Sequence, residues 1–401
     1  MRWHGRYILS MADQGFWSLS QLALQITIAR GLGISQYGQW GVAVALVALA
    51  TAAHTALITE PLLTFGGPHG EAPIARQAYG KLHLRLVLLT TTLMTMTAWA
   101  IQGPKPAAAA AVWAAALMTP GILTAWLCRR EALAAMRPGL AATLGVTLLV
   151  LAPGLAWSVI HLASGDLLEV AAVMGVATLS IGLILRRRLS RIDDAGNDLT
   201  RAYRYARFAA PTYAFAWVPL SLPLVLLGAG DHFLPAGELR LAILVAMPAL
   251  QAASAIGAML LVNLSGRAPG QKRTEALRSL TLVWLVTMVG GTVLVALAGP
   301  IGTLLGHAGW RTGEPLVLLM AVITLFEGTN YVMASTLRSH GRLVGLLTAQ
   351  GAGAVATVLA GLLLGHDRAM AAGWAMLAGT ATFTTAQLFR IRGLWSQRRD
   401  G

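Results

Sequence analysis

Charge is what this 401-residue chain most lacks. Asp, Glu, Lys and Arg make up only 11% of it, against roughly 25% in an average soluble domain. So few charges could not cover the surface of a water-soluble globule of this length. Cysteine is nearly missing as well. Cys128 stands alone, which excludes an intramolecular disulfide and a thiolate metal cage. The signatures of common chemistry are also absent. There is no phosphate-binding G-x-x-x-x-G-K-[ST] loop, no H-E-x-x-H, no G-x-S-x-G elbow and no His/Cys cluster. No catalytic residue, metal or cofactor is therefore expected, and the chain reads as a non-enzyme.

What is present is apolar. Hydrophobic residues make up 56% of the chain and fall in blocks, and about 20 such residues span a bilayer core. Twelve spans are expected, near 11–31, 40–63, 82–101, 107–127, 139–160, 167–185, 208–228, 239–263, 278–298, 315–336, 343–364 and 369–389. The basic start, Met1–Ser10, runs into a polar-flecked segment too long for a signal h-region, so the first helix is expected to be retained.

The loops alternate in charge. One set, counted with both termini, holds 25 of the 30 basic residues, including Arg129, Arg130 and Arg137 in one loop and seven arginines between Arg186 and Arg207. The other set holds Arg30, Lys105, Arg240, Arg311 and Arg368. By the positive-inside rule both termini are cytoplasmic. This bias accounts for the net charge of +14, and no nucleic-acid partner is expected. The longest connection divides the chain into an N-terminal bundle (1–190), a central cytoplasmic linker (191–207) and a C-terminal bundle (208–401). Six spans per half is an even number, so any repeat is parallel. The fold class expected is all-α: an integral membrane protein of twelve transmembrane helices in two parallel-repeat six-helix bundles around a central cavity.

Polar residues inside spans are costly and informative. In the first span Gln14, Ser18, Gln21 and Gln25 fall within a stripe of about 60° at 3.6 residues per turn. Two readings fit: a cavity wall offering amides to sugar hydroxyls or water, or interhelical hydrogen bonding. Glu327 lies about 18 Å into its span by the helical rise. A carboxylate there is protonated, paired or hydrated, which makes it either a proton-coupling site or a partner of Arg207 or Arg338. Asp13 and Glu60 lie near inner span ends, within reach of water, and Asp13 is a second coupling candidate. His54 is about 21 Å into the second span; it either titrates there or is held in a hydrogen bond. Arg207 precedes prolines 211, 219 and 223, which are expected to kink or break the helix. It either holds a phosphate bidentately or snorkels to the surface.

The stretch "ARGLGISQYGQWGVAVAL" (29–46) joins the first two spans. Gly31, Gly33 and Gly38 allow positive φ in a tight reversal, and Tyr37 and Trp40 suit the headgroup belt. Arg30-Gly31-Leu32-Gly33 followed by Tyr37-Gly38 resembles the first outer hinge of bacterial polysaccharide flippases. These belong to the multidrug/oligosaccharidyl-lipid/polysaccharide (MOP) exporter superfamily. "TEPLL" (59–63) and "AGELRLAILVAMPALQAA" (236–253) resemble the same family. The resemblance implies a V-shaped pair of bundles, alternating access and a polyprenyl-pyrophosphate-linked oligosaccharide as cargo, flipped across a bacterial cytoplasmic membrane for polysaccharide export. It implies membrane lipids, the lipid-linked glycan and polysaccharide assembly proteins as partners.

Two rivals stand beside this reading. A cation-coupled multidrug exporter of the same superfamily calls for a more apolar and acidic cavity. A membrane-embedded glycan polymerase or glycosyltransferase calls for a large, charged outer loop, whereas the longest outer connection, 299–314, holds only Arg311 and Glu314.

Overall fold

Long runs of Ala, Leu, Val and Gly without interposed turn residues leave helix as the way to satisfy every backbone donor and acceptor in hydrocarbon. The computed structural model describes residues 2–65, 76–135, 137–163, 165–189, 199–265, 269–304, 314–365 and 367–396. Every regular element among them is helical. In the first half these are α1 (Arg2–Gly31), α2 (Ile34–His54), a π-helical turn (Thr55–Thr59), α3 (Glu60–Phe65), α4 (Arg76–Ile101), α5 (Pro106–Ala134), α6 (Pro138–Leu162) and α7 (Leu167–Arg188). There follow α8 (Thr200–Ala229), α9 (Phe233–Ser265), α10 (Pro269–Ala296), the short α11 (Ala298–Leu304), α12 (Glu314–Ser339), α13 (Leu343–Leu364) and α14 (Ala369–Ser396).

Ten of these segments are long and apolar enough to cross a membrane, α2 through α3 counting as one. Helices α1 and α14, 30 and 28 residues long, complete twelve; the first is diluted by Arg, Asp and Gln, the last by Thr and Gly. The outward faces confirm the environment. Leu84, Leu88, Leu93, Met96 and Trp99 on α4, and Leu282, Leu285, Met288 and Val289 on α10, are exposed. Apolar stripes of that extent are stable against lipid and not against water. The chain is a multi-pass membrane protein with an all-α, twelve-helix fold.

The chain divides into two compact units, Met1–Ala214 and Phe215–Gly401, and the dividing point lies inside α8. In the first unit α1 packs along α6, and α5 along α7, α4 and α2. The α5–α7 crossing is close because it is built on glycine: a Cβ on Gly175 would collide with the Leu117 carbonyl, and one on Gly121 with Thr178. In the second unit α13 packs on α14, and α12 on α9, α10 and α14. Gly353 and Gly379 permit the α13–α14 approach in the same way, a Cβ on Gly353 meeting the Gly379 carbonyl at 2.8 Å. Small residues let transmembrane helices gain dispersion energy where lipid offers no hydrophobic drive.

Several expectations are corrected. The hinge between α1 and α2 turns without positive φ: among the described residues, glycines 341 and 365 have it, and 31, 33 and 38 do not. Gly31 answers a packing need instead, since a Cβ there would meet Ile160 at 2.7 Å. Tyr37 and Trp40 are not headgroup residues but are among the largest fully buried side chains. The prolines of α8 do not break it; helix runs unbroken from Thr200 to Ala229. The π-helical turn was not foreseen. Its cause is legible in Pro61, which has no N–H for the preceding turn and whose ring crowds that turn's carbonyl. The widened turn, in which the Glu60 amide reaches the Thr55 carbonyl, accommodates it. Residues 191–198 of the expected central linker (191–207) and 305–313 of the outer connection lie outside the described residues; from Thr200 on, the linker is the start of α8.

Candidate functional site

The first unit buries charge in pairs. Asp13 is 1% exposed and Arg129 2%. The Arg129 Nε donates to both Asp13 oxygens at 3.0 Å, and Nη2 donates to Oδ2 at 2.8 Å. The same Nη2 donates to Gln14 Oε1 at 2.7 Å. Trp17 and Trp126 flank the guanidinium, 5.1 and 5.3 Å from their ring centroids, and Arg130 lies 4.3 Å from the Trp126 ring. Asp13 is thus not a water-reached span end, and Arg129 is not a loop residue: α5 runs on to Ala134 and carries it inside. A buried ion pair this fully hydrogen-bonded offsets the cost of taking both charges out of water. One turn from Cys128 on the same helix face, Glu131 accepts from Arg186 Nε and Nη2 of α7 at 3.1 Å.

At the C-terminal end of α2 lies a neutral chain. His54 Nε2 is 2.9 Å from His83 Nδ1, and His83 Nε2 is 3.3 Å from Thr124 Oγ1. His54 therefore faces α4 and α5 within the unit, and His83 is a partner that the sequence reading missed. Neither histidine alone carried a spacing signal; they lie 29 residues apart.

The amide stripe of α1 is only partly free. Gln25 Oε1 is buried and accepts from Trp40 Nε1 at 3.1 Å and Tyr37 Oη at 3.4 Å. Gln14 is engaged with Arg129. Ser18 is half-buried, and Gln21, also half-buried, makes no side-chain hydrogen bond among the described residues. Arg30 is exposed at the end of α1. Arg207 is exposed too, its guanidinium 4.7 Å from the Phe208 ring centroid.

The second unit is different. Glu327 is 7% exposed, and its Oε1 accepts from Asn330 Nδ2 at 3.3 Å. Asn330 Oδ1 in turn accepts from Thr384 Oγ1 of α14 at 2.8 Å. Within the second unit Arg338 does not pair with Glu327; the carboxylate rests on a neutral amide instead. Tyr331, next along α12, is buttressed against Gly257 of α9. Among the described residues no group of three His, Cys, Asp or Glu converges as a metal site would require.

No family model and no curated protein matches the sequence. Solved structures do. The chain is similar to a multidrug resistance MATE family transporter of the MOP superfamily in its inward-facing conformation, with 14% identity and a TM-score of 0.64 over 98% of this chain and 97% of that one. It is similar to a MOP superfamily transporter from Pyrococcus furiosus, with 13% identity and a TM-score of 0.63 over 98% and 94%. It is similar also to the eukaryotic MATE transporter AtDTX14, with 15% identity and a TM-score of 0.60 over 96% and 91%. At such identities the likeness is one of fold. The chain has the twelve-helix fold of these transporters. The polysaccharide-flippase branch receives no separate support.

Proposed function

We propose that the protein is a secondary transporter that exports amphiphilic, multidrug-type substrates by alternating access, coupled to a cation gradient. The observation that carries this reading is the fold likeness, which extends over nearly the whole length of both chains and whose named members include multidrug transporters. Glu327 is the coupling residue in this reading. It is buried, rests on Asn330 and takes part in none of the described ion pairs, so its proton can be exchanged without breaking a salt bridge. Asp13, tied to Arg129, holds the first unit together instead of carrying the coupled ion. In this reading the protein acts in a bacterial cytoplasmic membrane, and the basic loops support an orientation with both termini inside.

A second reading, flipping of a lipid-linked oligosaccharide, is favoured by the Arg30–Gly33 and Tyr37-Gly38 hinge. It is weakened by the amide stripe, since Gln14 and Gln25 are spent on Arg129, Tyr37 and Trp40. Of the stripe's amides, Gln21 is left to meet a glycan.

The test is reconstitution into liposomes under an imposed pH or sodium gradient, scoring a cationic dye and a fluorescent polyprenyl-pyrophosphate oligosaccharide in parallel. Gradient-dependent dye efflux is expected. Glycolipid transfer without dye efflux selects the second reading, and movement of neither probe overturns transport.

A further inference from the structure

Arg129 and Arg130 are neighbours in sequence and opposites in structure. Arg129 gives its hydrogens to Asp13 and Gln14. Arg130 Nε is buried and has no hydrogen-bond partner, and among the described residues no ion pair holds its guanidinium. The group is laid instead against Trp126, 4.3 Å from the ring centroid. A guanidinium carries five N–H donors in a planar fork. Stacking on an aromatic face fixes that plane and uses none of the donors.

Trp126 is itself held in place. Its Nε1 donates to Thr55 Oγ1 of the π-helical turn at 3.2 Å, and its ring lies 5.6 Å from that of Trp17 on α1. Arg130, Trp17, Trp126 and Tyr213 of α8 are each half-buried, so the fork has aromatic surroundings and remains open to a ligand. An arginine that only snorkelled would extend its whole head into water; here the Nε is folded inside.

Depth narrows the ligand. Helix α5 has 29 residues and is about 43 Å long at 1.5 Å per residue. Arg130 stands about 36 Å from its Pro106 end by the same rise. A hydrocarbon core of about 30 Å centred on the helix ends at about 37 Å. The guanidinium is therefore at the core boundary, on the side that the basic loops mark, where headgroup phosphates begin.

The charges around Arg130 leave its donors unmet. Arg129, Asp13, Glu60 and Tyr213 act on it electrostatically. Asp13 is spent on Arg129. Glu60 of α3 lowers the cost of keeping Arg130 charged, but among the described residues no ion pair joins the two, so it supplies the fork with no acceptor.

We propose that Arg130, backed by Trp126, binds the phosphate of an anionic phospholipid from the leaflet at the basic-loop end of the spans. Two phosphate oxygens fit the fork bidentately, and the rings of Trp17, Trp126 and Tyr213 suit the glycerol and first methylenes of such a lipid. A zwitterionic headgroup suits the site less, because its ammonium would be brought beside Arg129 and Arg130.

The experiment is native mass spectrometry of the full chain in detergent, titrated with phosphatidylglycerol and with phosphatidylcholine of the same acyl chains. One phosphatidylglycerol should bind at least tenfold more tightly than phosphatidylcholine. In Arg130→Gln that preference should fall below twofold. Arg130→Lys keeps the charge and loses the fork; it should lose at least half of the preference, which guards against a folding defect in the Gln variant. Arg85→Gln, at an exposed arginine of α4, should retain the preference. A phosphatidylglycerol with a photoreactive group beside its phosphate should label peptides containing Trp126 or Tyr213. Equal binding of the two lipids by the wild-type protein overturns the proposal without recourse to any variant, and so does an unchanged preference in both Arg130 variants. Displacement of the lipid by inorganic phosphate would assign the site to a soluble anion and also overturn it. Binding is read without a gradient or transport, so a protein that moves neither probe can still pass this test, and a working transporter can fail it.

Discussion

The two units treat buried charge in opposite ways. Among the described residues the first contains two cross-helix ion pairs, Asp13–Arg129 and Glu131–Arg186, each joining helices far apart in sequence. The second contains one deep carboxylate, Glu327, supported by neutral side chains. A paired charge resists any change of protonation, since losing one partner strands the other. An unpaired carboxylate in the same medium is free to exchange its proton. In the proposed reading the paired charges of the first unit supply rigidity and the carboxylate of the second supplies the response to protons.

That contrast can be broken by substitution, and the largest effect belongs to Asp13. Asp13→Asn leaves Arg129 buried without its counter-charge and should cost about 3–5 kcal/mol, read as a large fall in Tm in detergent. Adding Arg129→Met should recover much of the loss; an unchanged Tm in the single variant would remove the pair from the account. Glu131→Gln should cost less, about 2 kcal/mol, between the surface and buried limits. Its partner Arg186 is 26% exposed and can turn to water.

Gln25→Leu comes next, at about 1 kcal/mol or slightly more, because it removes the acceptor from two buried donors. Gln21→Leu, its neighbour on the stripe, should change stability by less than about 0.5 kcal/mol. A transport defect in Gln21→Leu alone would show that this amide meets substrate. Equal stability losses in the two variants would mean that both are packing residues.

The smallest effect on stability sharpens the comparison most. Glu327→Gln preserves shape and a hydrogen bond to Asn330, and with no ion pair to break it should leave Tm within about 1 °C. Transport should lose its dependence on the imposed pH gradient. A destabilised Glu327→Gln protein would make the second unit resemble the first.

Much of the architecture is local and was legible without coordinates. A span is a property of some 20 consecutive residues, because each helix must satisfy its own backbone in lipid. The blocks of Leu, Val and Ala therefore mark the twelve helices, and the glycine-alanine runs mark the close crossings of α5 with α7 and α13 with α14. Depth along a helix is also local, which is why Glu327 could be placed inside the membrane from its distance to Pro315. Partnership is not local. Arg129 and Asp13 are separated by 116 residues, and composition assigned the arginine to a loop because positive residues usually end spans. The same holds for His54 with His83 and for Gln25 with Tyr37 and Trp40. Polar side chains in hydrocarbon gain most by finding one another, and the helix packing decides which are brought within 3 Å. The sequence by itself determined that twelve helices cross the membrane and where their polar residues lie in depth; only the tertiary structure decided which of those residues meet a charged partner, as Asp13 does, and which, like Glu327, rest on a neutral one.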